Sequence, residues 1–597
     1  MELKNASEML LKYFGYSEFR ENQIAVVENI LKKKDTLAIM PTGAGKSVCY
    51  QVPALIFGGL TLVISPLISL MKDQVDILES NGIPAVLINS SLKVSEYRRS
   101  KESIRSGKAK IVYVAPERLE SEEFIELINE CEVSLVAVDE AHCVSQWGHD
   151  FRPSYTRIQG FISKLKNRPL VTAFTATATE EVEEDIKAHL GFNQVNTFRS
   201  SVNRKNLKLY VLKQEAKKFL LEYLQKNRDS SGIVYFITRK EVDTYYEFLS
   251  SNGISVGRYH AGMSDQERIM SQDSFQKDDV KVILGTNAFG MGIDKSNIRF
   301  VIHANIPKDL ESYYQEIGRA GRDGENSECY LLFQSKDVMM HKYMISEDRA
   351  TLEHKKIKYD KLNIMINYAH TQKCLSSAIM KYFGETPEIE CCESCINCLA
   401  DYKVIDYTIQ AQKVISCIGK VKTKYGIKMI ADILKGSKQK KILQFQLDTQ
   451  STYGIMSDYS VDKISEIINF LISDEYIDVE SGKFPTLSLS RRALEFIKNR
   501  ECYTIKSKEA KKNSTVDEFF EDIFNQLRKL RYDLATRHNL APYMVFSDAT
   551  LRLMIQNRPK NEEEFLNISG VGKKKLEMYG KQFLSLLNSS RVLAEKV

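Results

Sequence analysis

The chain has 597 residues, 43% of them hydrophobic and 27% charged, with a formal net charge of +6. Single cores rarely grow past about 250–300 residues, so roughly three to five domains are expected, and the composition excludes a disordered chain. No apolar run reaches the ~18–20 residues that a membrane-spanning helix needs, and so mild a charge is no argument by itself for nucleic acid.

Met1–Lys4 leads into an amphipathic segment, Ala6–Phe14, without a long apolar core or a small-residue cleavage site. An intracellular home is expected. Next, Tyr13–Gln23 is an aromatic-rich turn entering a helix, where an aromatic face, an amide and an arginine could grip a purine or simply cap the first domain. The apolar run Thr36–Ile39 then meets Met40-Pro41-Thr42-Gly43-Ala44-Gly45-Lys46-Ser47, and a helix opens at Val48. Strand, loop and helix in that order make an anion site: Gly43 and Gly45 let the backbone turn tightly, so amides and the positive helix end point at one group. A nucleoside triphosphate is the expected anion, with Lys46 on the β- and γ-phosphates and Ser47 on Mg²⁺. Met40 stands where the strict phosphate-loop pattern has its first glycine, and the P-T-G-x-G-K-S form of many helicases fits instead.

Buried strand-like runs recur at Leu60–Leu67 and Ile111–Arg118, and Ser134–Val138 ends in Asp139-Glu140-Ala141-His142. Two carboxylates at the carboxyl end of a central parallel strand sit where α/β sheets bind ligands. Asp139 would hold Mg²⁺ through its waters, and Glu140 would activate the attacking water. Phe174–Thr179 closes another run with hydroxyls that can link the nucleotide site to its surroundings. A second alternation begins near Leu207 and passes Phe333 without a phosphate loop, but Gln315–Gly324 places Arg319 and Arg322 three apart among glycines. Such arginines suit a triphosphate reached from outside its own domain, and two α/β halves imply a cleft whose closure couples to hydrolysis.

Together these stretches resemble a superfamily 2 helicase, and in detail the RecQ family of DNA helicases, over nearly the whole chain. The family-specific pieces are the segment with Tyr16, Arg20 and Gln23 and the stretch His142–Pro153. The resemblance makes the first an adenine-recognising element and the second an aromatic-rich loop that senses single-stranded DNA through Trp147, Phe151 and Arg152. Aromatic faces suit that role, since stacking on a base contributes about 1–3 kcal/mol whatever the sequence.

Of the eleven cysteines, five crowd between Cys374 and Cys398, and Cys392, Cys395 and Cys398 follow C-x-x-C-x-x-C spacing. With Cys374 they make the four thiolates of a closed, structural zinc site, although spacing alone also admits an iron–sulfur cluster and Cys391 stands ready as a competing ligand. Lys420–Lys441 holds eight lysines against one acid, Asp432, before a hairpin pattern at Tyr476–Val479 and Pro485–Leu489. Helices and a small hairpin read as a winged helix, whose basic face is either a solvated surface or fit for phosphates, and the resemblance implies that it meets duplex DNA. Phe519, Ile523, Leu527, Leu530 and Leu534 repeat at helical spacing, and Ile568–Lys575 resembles glycine turns whose amides meet phosphates.

The resemblance therefore implies an α/β fold of two RecA-like parallel-sheet motor domains (1–205 and 206–340), a helical zinc-binding subdomain (341–402), a winged helix (403–502), a linker (503–513) and an all-helical HRDC domain (514–597). It implies an ATP-dependent DNA helicase of 3′-to-5′ polarity acting in recombination, repair and replication restart. Its cofactors would be ATP, Mg²⁺ and Zn²⁺, and its partners single-stranded and forked DNA and single-stranded-DNA-binding protein. It would be a monomer in a bacterial cytoplasm, at the nucleoid and not on a membrane. An RNA helicase and a non-hydrolysing DNA-binding scaffold are the alternatives. The second needs damaged catalytic residues, and Lys46, Asp139, Glu140, Gln315, Arg319 and Arg322 are all in place.

Overall fold

The computed structural model describes residues 2–594 apart from 90–91, 149, 291–294, 388–390, 400–401, 422, 481, 483, 509–517 and 539. The first motor domain is built on seven parallel strands: β1 (Thr36–Ile39), β2 (Leu60–Ile64), β3 (Ala85–Ile88), β4 (Ile111–Val114), β5 (Val133–Val138), β6 (Leu170–Thr175) and β7 (Asn196–Arg199). Their order is β3-β4-β2-β5-β6-β1-β7. Side chains alternate across a strand, so Leu37 and Ile39 enter one core while Ala38 and Met40 enter another on the opposite face. Helices covering both faces explain why these strands read as unbroken apolar runs.

Six more parallel strands form the second sheet: β8 (Leu207–Leu212), β9 (Ser231–Tyr235), β10 (Val256–Tyr259), β11 (Val282–Gly285), β12 (Ile298–His303) and β13 (Ser327–Leu332). They lie in the order β10-β11-β9-β12-β13-β8. The same alternation sends Ile233 and Tyr235 to one core and Val234 to the other. The first of these cores continues without a break into Met365, Tyr368, Leu375 and Cys395, so the zinc-binding subdomain shares its interior with the second motor domain.

The boundary expected at 340/341 is corrected: the helix Ser335–Glu347 runs through it. Buried Asp337 fixes the start of that helix, accepting hydrogen bonds from the Asn305 side chain and the Ile306 amide. The expected linker needs a larger correction. Thr504–Lys508 is a strand, paired antiparallel with Tyr402–Asp406, which also moves the boundary at 402/403 out of a strand interior. Tyr503 is buried and donates to Asp474, and Ile505 lies in the winged-helix core. Lys506 and Lys508, which follow Ile505, hide this strand in the sequence, because alternation on five residues looks like a polar, basic run. Residues 509–513 of the expected linker lie outside the described residues.

Between those paired strands lie the helices Thr408–Lys420, Ile427–Lys435 and Val461–Ser473 and a hairpin of Ile477–Glu480 with Thr486–Leu489, one residue from the expected pattern. Phe484 stands 83% exposed beyond that hairpin's first strand. The terminal unit packs the helix Glu518–Arg537 on Asp548–Asn557, the latter capped by Ser547, whose hydroxyl accepts from the Thr550 amide. No described helix is long and apolar enough to cross a membrane.

Candidate active site

The phosphate loop leaves the end of β1, Asp139 follows β5, and β6 between them ends in Thr175. Three adjacent carboxyl ends thus bring a lysine, two carboxylates and a hydroxyl to one edge. Gly43 and Gly45 take φ of 82° and 78°, which turns the loop into the helix Lys46–Ile56. The loop is gripped from behind: the Gln23 amide donates to the Ala44 and Gly45 carbonyls at 3.0 and 3.2 Å, and the Arg20 guanidinium donates to the Gly43 carbonyl at 2.6 Å. Lys46 donates to the Met40 carbonyl at 3.2 Å. Burial pushes its ammonium below the ordinary lysine range, while Glu140 and Asp139 pull it back.

Glu140 has φ 47° and ψ 47°, a left-handed conformation that a non-glycine residue holds only under constraint, and such strain gathers at functional sites. Its Oε2 lies 3.4 Å from His142 Nδ1, which also shares a 2.9 Å hydrogen bond with Thr175 Oγ1. The Tyr155 hydroxyl donates to the Asp139 backbone carbonyl at 2.8 Å, fixing the strand end from the far side.

A cavity of about 540 Å³ opens over this edge. From the first domain it is lined by Tyr16, Arg20, Thr42, Gly43, Gly45, Lys46, Ser47, Asp139 and Glu140, and from the second by Gln315, Arg319 and Arg322. Every residue expected at the nucleotide is on its wall except Gln23, which is buried behind the loop. The two arginines differ in setting. Arg319 is buried and donates to the Gly290 carbonyl of its own domain, whereas the Arg322 backbone and side chain lie 3.4 Å from where a Cβ on Gly43 would stand.

Two features of the cleft were not legible in the sequence. Arg204, on the connection between the motor domains, donates to the carbonyls of Thr42, Ala320 and Gly321, tying the phosphate loop to the arginine segment. Nearby Asn206 donates to the Gly321 and Glu325 carbonyls, so the polar pattern Asn203–Asn206 was the available signal. The terminal unit also reaches the cleft, with Tyr543, Ser547 and Lys575 on its wall and the Gly570 amide donating to the Gly15 carbonyl. Nothing in its helical periodicity says which surface it packs on.

Of the aromatic loop, Trp147 is 43% exposed and Phe151 partly so. Arg152 is engaged with the protein, donating to Asp150 at 3.0 Å and to the Pro66 carbonyl at 2.8 Å. On the winged helix Lys428, Lys438, Lys440 and Lys441 are exposed, while Lys420 and Lys424 bind Ser451 and Glu480.

Outside the cleft lining, the ligand atoms of Cys374, Cys392, Cys395 and Cys398 all lie within 4.8 Å of one another. Backbone amides of Leu375 and Ser377 donate to the sulfurs of Cys395 and Cys374, an arrangement that favours thiolate and suits a tetrahedral metal. Cys391 is exposed and does not belong to this four-cysteine group, although its thiol neighbours that of Cys398.

Gly45 carries the clearest local test. An added Cβ would lie 2.4 Å from the Gln23 amide nitrogen, and φ 78° is strained for any L side chain. Gly45→Ala is expected to weaken nucleotide binding about tenfold, combining the displaced Gln23 with the ~1–2 kcal/mol left-handed penalty. Gly82→Ala, at φ 83° with open space around it, carries the strain without the clash. Equal nucleotide titrations for the two variants would refute the role of the Gln23 contact.

Five family models match successive stretches of the chain. Residues 20–185 match the DEAD/DEAH box helicase model, 215–324 the helicase conserved C-terminal domain, 335–399 the RecQ zinc-binding model, 401–514 the RQC domain and 520–587 the HRDC domain. The chain is 46% identical to the ATP-dependent DNA helicase RecQ of Bacillus subtilis, over 98% of each chain. The chain belongs to the RecQ family. Another RecQ protein of that name, from Haemophilus influenzae, is 38% identical over 99% of this chain and 97% of its own. A RecQ-like DNA helicase, BLM of Xenopus laevis, is 33% identical over 98% of this chain and 46% of its own length. The zinc-binding match decides between zinc and an iron–sulfur cluster, and the four-cysteine group, which could hold the metal, lies within the matched residues.

Proposed function

We infer that the chain is an ATP-dependent DNA helicase, which hydrolyses ATP with Mg²⁺ in the cleft, translocates on single-stranded DNA and separates duplex. The observation that carries this reading is the facing of two half-sites across one cavity, Lys46, Asp139 and Glu140 on one sheet domain and Gln315, Arg319 and Arg322 on the other. Lys46 and Ser47 hold the phosphates and the metal, Glu140 activates water, and Arg322 meets the developing charge when the domains close. Tyr16 and Arg20 face the base, and Gln23 holds the loop that faces the phosphates.

Trp147 and Phe151 take single-stranded bases, Arg152 shapes their loop, and Lys428, Lys438, Lys440 and Lys441 meet duplex phosphates. The polarity is 3′-to-5′, on forked DNA in recombination, repair and replication restart. The protein acts as a monomer in the bacterial cytoplasm, beside single-stranded-DNA-binding protein.

Strand displacement on forked DNA and matched RNA, with and without ATP, tests the assignment. DNA should be unwound only with ATP. Displacement without ATP, or preference for RNA, would overturn it. Lys46→Ala is the internal control: turnover should fall to background while DNA affinity at fixed salt is unchanged, because the ammonium touches one loop carbonyl and no core. Near-normal hydrolysis by that variant would remove Lys46 from the site.

A further inference from the structure

Lys361 sits on the helix Leu352–His370, outside both motor sheets. Its ammonium donates to two acceptors in different domains: the Trp147 carbonyl of the aromatic loop at 2.8 Å, and Glu311 Oε1 at 2.6 Å on the helix Leu310–Ile317 of the second motor domain. The Glu311 half of the bridge is shielded from water, with the Lys361 side chain 18% exposed and that of Glu311 6%. Burial and the neighbouring Asp309 carboxylate push the Glu311 carboxyl up from its ordinary range, and Lys361 opposes them. The Tyr382 hydroxyl also hydrogen-bonds the Glu311 carboxylate, so that carboxylate keeps a partner when the ammonium is removed.

Both ends of the bridge lead toward the cleft. Glu311 lies one helical turn before Gln315, and the same segment continues to Arg319 and Arg322. At the other end the aromatic loop is fixed at its base, where the Trp147 amide donates to the Ser145 hydroxyl and that hydroxyl to Asp185. Its middle is held from outside its own domain by Lys361. The covalent route from the loop runs back to Glu140 and Asp139 and stays within the first motor domain.

We propose that Lys361 is a positioning residue that couples occupancy of the aromatic loop by single-stranded DNA to the arginine-bearing segment of the second motor domain. The inference rests on the reading of Trp147 as a base contact. A base stacked on the exposed indole shifts the loop backbone, and the ammonium bridge passes that shift through Glu311 to Gln315 and Arg322. Because Lys361 holds the carbonyl and not the indole, the bridge survives loss of the Trp147 side chain, and the two roles separate.

Lys361→Met keeps the apolar stem and removes the charge. Turnover without DNA and oligonucleotide affinity should stay unchanged, while stimulation of kcat by single-stranded DNA should fall about five- to tenfold, within the usual range of coupling between sites. Lys361→Arg should retain most of the stimulation, a rescue that a merely structural role would not give. Glu311→Gln, nearly isosteric, should reproduce the loss, and the double variant should be no worse than either single one because both break one interaction. Full stimulation in Lys361→Met, additive losses in the double variant, or stimulation lost only in proportion to DNA affinity overturns the proposal. Trp147→Ala distinguishes the two failures. If it uncouples while Lys361→Met is fully stimulated, the bridge is wrong and the loop reading stands; if it too is fully stimulated, both fall.

Discussion

Arg322→Ala is expected to lower ATP turnover at saturating nucleotide by about 10³-fold or more, the ordinary worth of an arginine that meets transition-state charge from outside the nucleotide's own domain. Geometry separates it from its neighbour: Arg322 faces the phosphate loop across the cleft, near enough to lower the Lys46 ammonium, whereas Arg319 is drawn back onto the Gly290 carbonyl. Arg319→Ala should therefore act mainly through the wall of the second domain and cost less in kcat. The check is single-turnover hydrolysis beside equilibrium nucleotide binding. An Arg322→Ala enzyme that loses affinity but keeps its saturated rate would show that the side chain binds ground-state ATP and does no more.

Cys395→Ser should cost still more, because structural zinc contributes roughly 10–16 kcal/mol in small peptides and the site here is not an isolated finger. Cys395 and Cys374 share a core with Tyr313 and Tyr314, on the helix that carries Gln315. Loss of the metal is thus expected to unfold residues 363–402 and to loosen that helix, so that hydrolysis fails together with the fold. Elemental analysis, a thermal melt and limited proteolysis of the variant measure this. A purified variant without zinc that melts like the parent, or a parent protein holding iron, would refute it.

The motor was legible because its chemistry is local. Gly43, Gly45, Lys46 and Ser47 are neighbours in sequence, Asp139 and Glu140 end a run that reads as a central buried strand, and Arg319 and Arg322 stand three apart. What stayed hidden depends on partners far along the chain. Arg204 joins loops at Thr42 and Gly321, Lys361 joins Trp147 to Glu311, and the terminal unit meets Gly15 through Gly570. No periodicity records such meetings, since each side of the contact satisfies its own helix or turn in the same way whether or not the other arrives. The strand Thr504–Lys508 was missed for a related reason: its partner lies about one hundred residues back, and two lysines among five residues make the sequence read as a polar run.

That pairing has a mechanical side. The winged helix begins at Tyr402–Asp406 and ends at Thr504–Lys508, so its entrance and exit are one two-stranded stem and not two separate tethers. A body fixed at one foot needs a second hold to keep its direction, and this one has it: the helix Val461–Ser473 rests on the helix Leu352–His370, and Lys213 of the second motor domain donates to Glu466, so the hairpin and the exposed lysines are carried as one piece with that domain.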